Sequence, residues 1–302
     1  MPGNSNIPLV SIVIPASNCE RTIAETIDSI IKQTYKNIEI LVIINNCNDS
    51  TEDVVRGLID CGNISIYYAN SGPAEARNLG AEIAKGDYLK FLDADDLLGP
   101  ENVEHSVLFL ETNEKMILVI GEGDLLELGV RSEDKSLLFS INLIKSSERV
   151  DESLFLDSNP VPQIHAALLR KTLYKKIKFD LNISNFEDHS YWIKCIRKVD
   201  KIGVLDRNDT LVRTVYRIQS GTRSDPNNIN SYLQGMYDFR KLNGMKFYRK
   251  TLFYGFLLRY IRGLNFDGLV KFLNFFGPLE TMRIVFSELC RHALLKMGVE
   301  KK

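Results

Sequence analysis

The sequence has no CxxC pair, no glycine-rich turn behind its first apolar run and no GxxxxGK[ST] segment. Each absence removes a class of protein. The five cysteines, Cys19, Cys47, Cys61, Cys195 and Cys290, are odd in number and scattered, so small buried thiols are expected rather than metal ligands. With no secretory pattern near Met1, reduced thiols in the cytoplasm are the expectation. The longest apolar segments, near 252–264, are interrupted by Arg259 and Arg262, short of the ~20 residues that cross a bilayer. A formal net charge of −1 gives no general attraction to nucleic acid, and no nucleic-acid partner is expected. Where a dinucleotide fold needs glycines, this chain has Pro15-Ala16-Ser17-Asn18-Cys19. Nor is there the basic, glycine-rich N-terminal loop of a sugar-nucleotide pyrophosphorylase. The commonest dehydrogenase, kinase and NTPase readings are thereby removed.

What is present is ordinary in bulk and ordered in pattern. Hydrophobic residues make up 44% and charged residues 25% of 302, enough for a sizeable α/β core with an appendage. Apolar runs at Val10–Ile14, Ile38–Ile44, Ile64–Tyr68, Tyr88–Leu92 and Met116–Ile120 read as strands. Amphipathic helical patterns fall between them, at 21–33, from Thr51, and from Ser71-Gly72-Pro73 to about Lys85. Such alternation predicts a mostly parallel sheet with helices on both faces, whose ligands sit outside the carboxyl ends of the strands. Residues 124–160 are less periodic, 165–200 resume a helical pattern, and Thr210–Tyr216 reads as a returning strand. The stretch 220–230 is rich in Ser, Asn, Gly and Pro and marks a boundary. Beyond it the pattern is helical, and residues 246–302 hold eleven Lys and Arg against four Asp and Glu.

The fourth strand runs into Asp93-Ala94-Asp95-Asp96. Three carboxylates within four residues repel one another unless a cation or donors neutralise them. In an extended segment Asp93 and Asp95 share a side and can address one Mg2+ or Mn2+, and a diphosphate through it. An acidic turn that caps the following helix accounts for the same residues. The cluster alone leaves both readings open.

Its surroundings are ordered: Val10-Ser11-Ile12-Val13-Ile14-Pro15-Ala16-Ser17-Asn18, Ser29-Ile30-Ile31-Lys32-Gln33-Thr34-Tyr35, Ile38-Glu39-Ile40, Ala76-Arg77-Asn78-Leu79-Gly80, then Gly86-Asp87-Tyr88-Leu89-Lys90-Phe91-Leu92 before the acidic cluster. This series resembles the family 2 glycosyltransferases of GT-A fold, inverting enzymes that use nucleotide-diphosphate sugars. The resemblance continues through Phe179-Asp180 and Phe186-Glu187-Asp188-His189 to about Ser224. It implies a Rossmann-like GT-A domain over 1–225, with a nucleotide-binding half to about 123 and an acceptor-binding half from about 124. Residues 226–302 form a helical C-terminal extension outside it.

By the same resemblance, Pro15, Ala16, Ser17 and Asn18 form the first nucleotide loop, with Glu20 beside it as a ribose ligand or an exposed carboxylate of the first helical turn. Asn45 stands where the family has a base-reading aspartate. Arg77 serves the diphosphate, pairs with the acidic cluster, or does both. Asp93 and Asp95, with Ala94 between them, contact ribose and metal; Asp95 is the leading ligand of Mn2+ or Mg2+, and Asp96 supports it or caps a helix. Asp188 is the general base. Arg217 or Arg223 reaches the diphosphate from a late segment in which Gln219 replaces a common histidine. His165 and His189 are candidates for acceptor contacts.

The implied partners are a nucleotide-diphosphate sugar donor and a glycan or lipid-linked saccharide acceptor. The basic tail suits peripheral contact with the inner face of a membrane, packing on the catalytic body, or self-association. Because Asn45 and Gln219 depart from the family pattern, an inactive GT-A-like nucleotide- or glycan-binding protein is the alternative.

Overall fold

The structure is a computed structural model that describes residues 7–113, 118–125, 164–183, 187–198 and 203–212. All of them belong to one of the two units into which the chain divides, Met1–Phe155 with Pro160–Arg217. The expected extension after 225, and Arg217 and Arg223 before it, lie outside the described residues. Among the described residues no helix is long and apolar enough to cross a membrane.

Seven strands form one sheet: β1 (Val10–Ala16), β2 (Ile38–Asn45), β3 (Ile64–Ala69), β4 (Tyr88–Phe91), β5 (Leu118–Leu125), β6 (Ala167–Arg170) and β7 (Gly203–Val212). Their order is β3-β2-β1-β4-β6-β5-β7. The pairings β1–β2, β1–β4, β2–β3 and β5–β7 are parallel, while β6 runs antiparallel to both neighbours. Among the described residues six α-helices accompany them: α1 (Ile23–Ile31), α2 (Thr51–Arg56), α3 (Pro73–Ile83), α4 (Asn102–Thr112), α5 (Lys171–Tyr174) and α6 (Glu187–Ile196).

The continuous apolar strands mean burial on both sides, and the core is accordingly double. Val10, Ile12 and Ile14 pack with Ile23, Ile27 and Ile30 of α1 and Val103 and Val107 of α4. Val13, Leu41, Ile43, Leu89 and Phe91 face the other way, toward Ala76 and Ala81 of α3 and Tyr191 and Trp192 of α6. Helices thus cover both faces, as the strand pattern predicts.

Three element readings change. The first strand does not stop at Ile14: β1 continues through Pro15 to Ala16, paired with β2. The ladder to β4 stops at Val13, so the proline sits beyond the doubly paired part of the strand, where its missing N–H costs least. Residues 167–170 are a strand rather than part of a helical run, because a four-residue apolar run carries no period of its own. The returning strand is Gly203–Val212, earlier than expected, and residues 213–216 lie outside the described residues.

Candidate active site

The carboxyl ends of β1, β2 and β4 converge, and the loops behind β1 and β2 are laced together. Asn48 N–H donates to Asn18 Oδ1 at 2.7 Å, Glu20 N–H to Asp49 Oδ2 at 3.1 Å, and Ser50 N–H to Glu20 Oε2 at 3.0 Å. Asn18 and Asn46 both take left-handed backbone (φ 49°), which asparagine tolerates better than most side chains. Glu20 precedes α1, so it is no first-turn helix carboxylate; it ties the two loops. Pro15 is half-buried and Ala16 fully buried, while Ser17 and Asn18 are exposed at the loop tip.

Asn45 ends β2 and is buried. Its Oδ1 accepts from Gly72 N–H at 3.2 Å, across the turn that opens α3. Gly72 holds φ 98°, a conformation that favours glycine, and Pro73 follows as the first helical residue. The partner fixes the amide's polarity: an N–H meets only the oxygen, so a ligand at Asn45 would find its two N–H donors and the oxygen's second lone pair.

The acidic segment is a turn, not an extended strand. Asp96 N–H donates to Asp93 C=O at 3.0 Å, and Ala94 is buried beneath it. Helix α4 starts only at Asn102, with Glu101 at its cap, so the reading of Asp95 or Asp96 as a helix cap fails. The carboxylates are divided among partners. Asp93 Oδ1 accepts from Arg77 Nη2 at 2.8 Å. Asp96 Oδ2 lies 2.7 Å from His165 Nδ1. Burial pushes the Asp96 carboxyl above the ordinary range, despite the imidazole beside it.

Arg77 on α3 reaches in two directions, since its Nη1 donates to Glu187 Oε1 at 3.1 Å. Burial works against its charge, but Asp93, Glu187 and Asp188 outweigh burial and hold its pKa above the usual value. Burial, and then the Asp188 charge, raise the Glu187 carboxyl, while Arg77 pulls it back. Glu187 and Asp188 form the first turn of α6, where carboxylates also meet the positive end of the helix dipole.

The sequence also explains how α6 arrives there. Asn78, next to Arg77, clamps the Phe179 backbone, accepting its N–H at 2.8 Å and donating to its C=O at 3.0 Å. The Phe179 ring stacks on Tyr191 of α6 with centroids 4.0 Å apart, meets Phe91 edge-on, and lies under the Arg77 guanidinium at 5.5 Å. Asp180 accepts from Ser190 Oγ at 2.5 Å and from the Lys194 ammonium. One side of α6 is thus fixed to the sheet through an aromatic stack, and the other through Asp180.

Comparison with known proteins decides the family. Residues 11–177, more than half of the chain, match glycosyl transferase family 2. The chain belongs to that family. It is 32% identical over 222 residues to the UDP-Glc:alpha-D-GlcNAc-diphosphoundecaprenol beta-1,3-glucosyltransferase WfaP of Escherichia coli, spanning 72% of this chain and 80% of that protein. It is 30% identical over 197 residues to an uncharacterized glycosyltransferase of Haemophilus influenzae, spanning 64% and 74%. The fold is shared with TarS 1–349 of S. aureus in complex with UDP-GlcNAc, at TM-score 0.65 and 18% identity, over 89% of this chain and 80% of that one. It is also shared with the mannosyltransferase PcManGT from Pyrobaculum calidifontis, in complex with GDP-Man and Mn2+, at TM-score 0.54 and 19% identity, over 72% and 59%. This is the GT-A fold, and the family 2 assignment makes nucleotide sugars the substrate class.

The donor set of this family 2 member suits a particular kind of cation. Among the described residues no group of three or more His, Cys, Asp and Glu is arranged around one point. Arg77 takes one oxygen of Asp93 and His165 faces Asp96, so the turn would offer a cation one or two carboxylates at most. Hard oxygen donors in that number suit Mg2+ or Mn2+ completed by diphosphate oxygens and water, and do not suit a closed protein cage.

His165 is not an acceptor contact. It is 1% exposed and packed behind the acidic turn. The side chain of His189 lies outside the described residues. Sequence reasoning missed the roles of Glu187, Gly72 and Asn78, each of which acts on a group far along the chain.

Proposed function

We propose that this glycosyltransferase inverts the anomeric centre of its donor sugar, with Asp188 as general base and a divalent cation held at Asp93 and Asp95. The observation that supports this most is the Arg77 bridge, which joins Asp93 at the end of β4 to Glu187, the residue before Asp188. One buried guanidinium sets the acidic turn and the start of α6 at a fixed separation. A donor bound at the turn then presents its anomeric carbon toward α6.

The Asp188 carboxylate accepts the acceptor hydroxyl's proton as that oxygen bonds to the anomeric carbon. The bond from that carbon to the diphosphate oxygen breaks on the opposite side, and the electron pair leaves with the nucleoside diphosphate. The proton remains on Asp188 until solvent takes it. A bound cation supplies charge neutralisation for the departing diphosphate. Arg77 keeps Asp93 oriented and lends the pocket a permanent positive charge. The laced loops after β1 and β2 hold the base and ribose, and Asn45 offers two donors to an acceptor atom of the base.

The acceptor is a hydroxyl of a glycan or lipid-linked saccharide, a reading supported by the lipid-linked substrate in the name of WfaP. A cytoplasmic enzyme at the inner face of a membrane, with the basic tail as its contact, fits that acceptor.

Asp188→Asn tests the base. Turnover with the donor sugar should fall about 1,000-fold while nucleoside-diphosphate affinity holds. Turnover equal to that of the unaltered protein removes Asp188 from the mechanism.

A further inference from the structure

We propose that His165 is a positioning residue that fixes the Asp96 carboxylate through Nδ1, and so sets how the acidic turn presents Asp93 and Asp95 to the cation and diphosphate. The inference rests on the metal reading above.

His165 lies in the short turn Ile164–Ala166 that leads into β6. That strand is paired to β4 through Leu89 with Leu169 and Tyr88 with Arg170, so the ring stands on a fixed part of the sheet. Asp96 follows the same β4 by five residues, on the far side of the turn. The side chains of His165 and Asp96 are 1% and 8% exposed, and Nδ1 approaches Oδ2 to 2.7 Å. Alignment is poor: among the described residues neither ring nitrogen has a well-directed hydrogen-bond partner. A buried imidazole whose Nε2 has no partner among the described residues is a costly way to fill space, and an apolar side chain would fill it better. What only the imidazole supplies at this place is a polar edge against Asp96.

The consequence follows from charge. Three carboxylates so close need separate partners, or they crowd the same cation. Arg77 takes an oxygen of Asp93 and His165 stands against Asp96, so these two carboxylates are held from different elements, α3 and the turn before β6. The Asp96 backbone closes the turn on Asp93, so a swing of the Asp96 side chain is felt at both neighbours.

The test compares two amides at position 165. An asparagine amide nitrogen falls about where Nδ1 does, and a glutamine amide nitrogen about where Nε2 does. Mn2+ uptake by the full chain is followed from the electron paramagnetic resonance signal of free Mn2+, with UDP, GDP or dTDP present and no turnover. His165→Gln should weaken Mn2+ binding about ten-fold, a typical loss for a group that orients ligands, while His165→Asn stays near the unaltered protein. Thermal unfolding of both variants is measured alongside. A space-filling role predicts the reverse order, since glutamine fills more of the site. Equal Mn2+ affinity in all three proteins, or glutamine outperforming asparagine, overturns the proposal. Absence of Mn2+ uptake by the unaltered protein with every nucleotide overturns the metal reading and this inference with it. Uptake that Asp95→Asn abolishes but neither His165 variant alters overturns this inference alone.

Discussion

The Arg77 guanidinium meets the Glu187 carboxylate at 3.1 Å across 110 residues of sequence, with Arg77 buried and Glu187 largely so. A buried pair of this kind contributes little net stability when intact, yet breaking it leaves an uncompensated charge. Asp93 is more exposed than Glu187, so the cost of losing Arg77 falls mainly on Glu187.

Arg77→Met should therefore lower unfolding stability by about 3 kcal/mol in urea titrations. Adding Glu187→Gln should restore part of that loss, because the stranded charge is gone. Arg77→Lys keeps a cation but has no fork with which to reach both carboxylates, so it should fall between the two. If Arg77→Met unfolds with the unaltered protein, the guanidinium does not hold α6 to the acidic turn.

The parallel sheet was legible because both-face burial writes itself into continuous runs such as Val10–Ile14 and Ile38–Ile44. Strand β6 was not, since Ala167–Arg170 is too short to show a period. At the site, the family resemblance pointed to Asp93, Asp95, Arg77 and Asp188, and the structure joins Arg77 to Asp93 and to Glu187 beside Asp188. The sequence could not show that Asp93 bends into a turn, because Asp96 N–H bonding back to Asp93 is a backbone event with no side-chain signature. The partners Glu187 and His165 escaped for another reason. Each gains its role from a residue more than sixty positions away, and one chain in isolation gives no register for such pairs.

The proposed contact of Asn45 with the base can be separated from its hydrogen bond to Gly72. A carboxylate in its place still accepts from Gly72 N–H but has no donor for the base. Asn45→Asp should keep the thermal midpoint and weaken nucleoside-diphosphate binding about ten-fold, the worth of one hydrogen bond. Asn45→Ala should lose both. Calorimetric titration with UDP and GDP reads the difference, and tighter binding by Asn45→Asp would show that position 45 accepts from the base instead.

Lys90 is fully buried on β4, with Nζ 3.4 Å from the Ala167 carbonyl, and burial draws its pKa down to about 7. The unfolded chain keeps that proton up to about pH 10.4, so the unfolded state holds more protons between the two values. Stability from this group therefore rises as pH climbs through that window. Lys90→Met should flatten the rise and stabilise the protein by about 2 kcal/mol near pH 6.5, a figure set below the full linkage value to allow for relaxation around the ammonium. Near pH 10 the two proteins should converge. Parallel stability curves for the two would mean that Lys90 keeps its charge in the folded state.

Gly80 lies on α3 one turn beyond Arg77, against β1. A Cβ there would come within 2.2 Å of Val13 Cγ1 and 2.8 Å of Cγ2, and Val13 is fully buried. The valine has nowhere to go, so the helix must lift from the sheet. Gly80→Ala should cost about 2 kcal/mol, the usual scale of overpacking in a well-filled core. Removing the obstructing methyls in Val13→Ala, Gly80→Ala should recover part of the loss, which identifies contact rather than helix propensity as the cause, since alanine is the better helix former. The same displacement moves Arg77 away from both Asp93 and Glu187. Donor KM should therefore rise in Gly80→Ala at temperatures where the protein is fully folded, and return toward normal in the double variant. An unchanged KM alongside lowered stability would show that α3 absorbs the strain without moving its guanidinium, and that the bridge tolerates more displacement than its two short contacts imply.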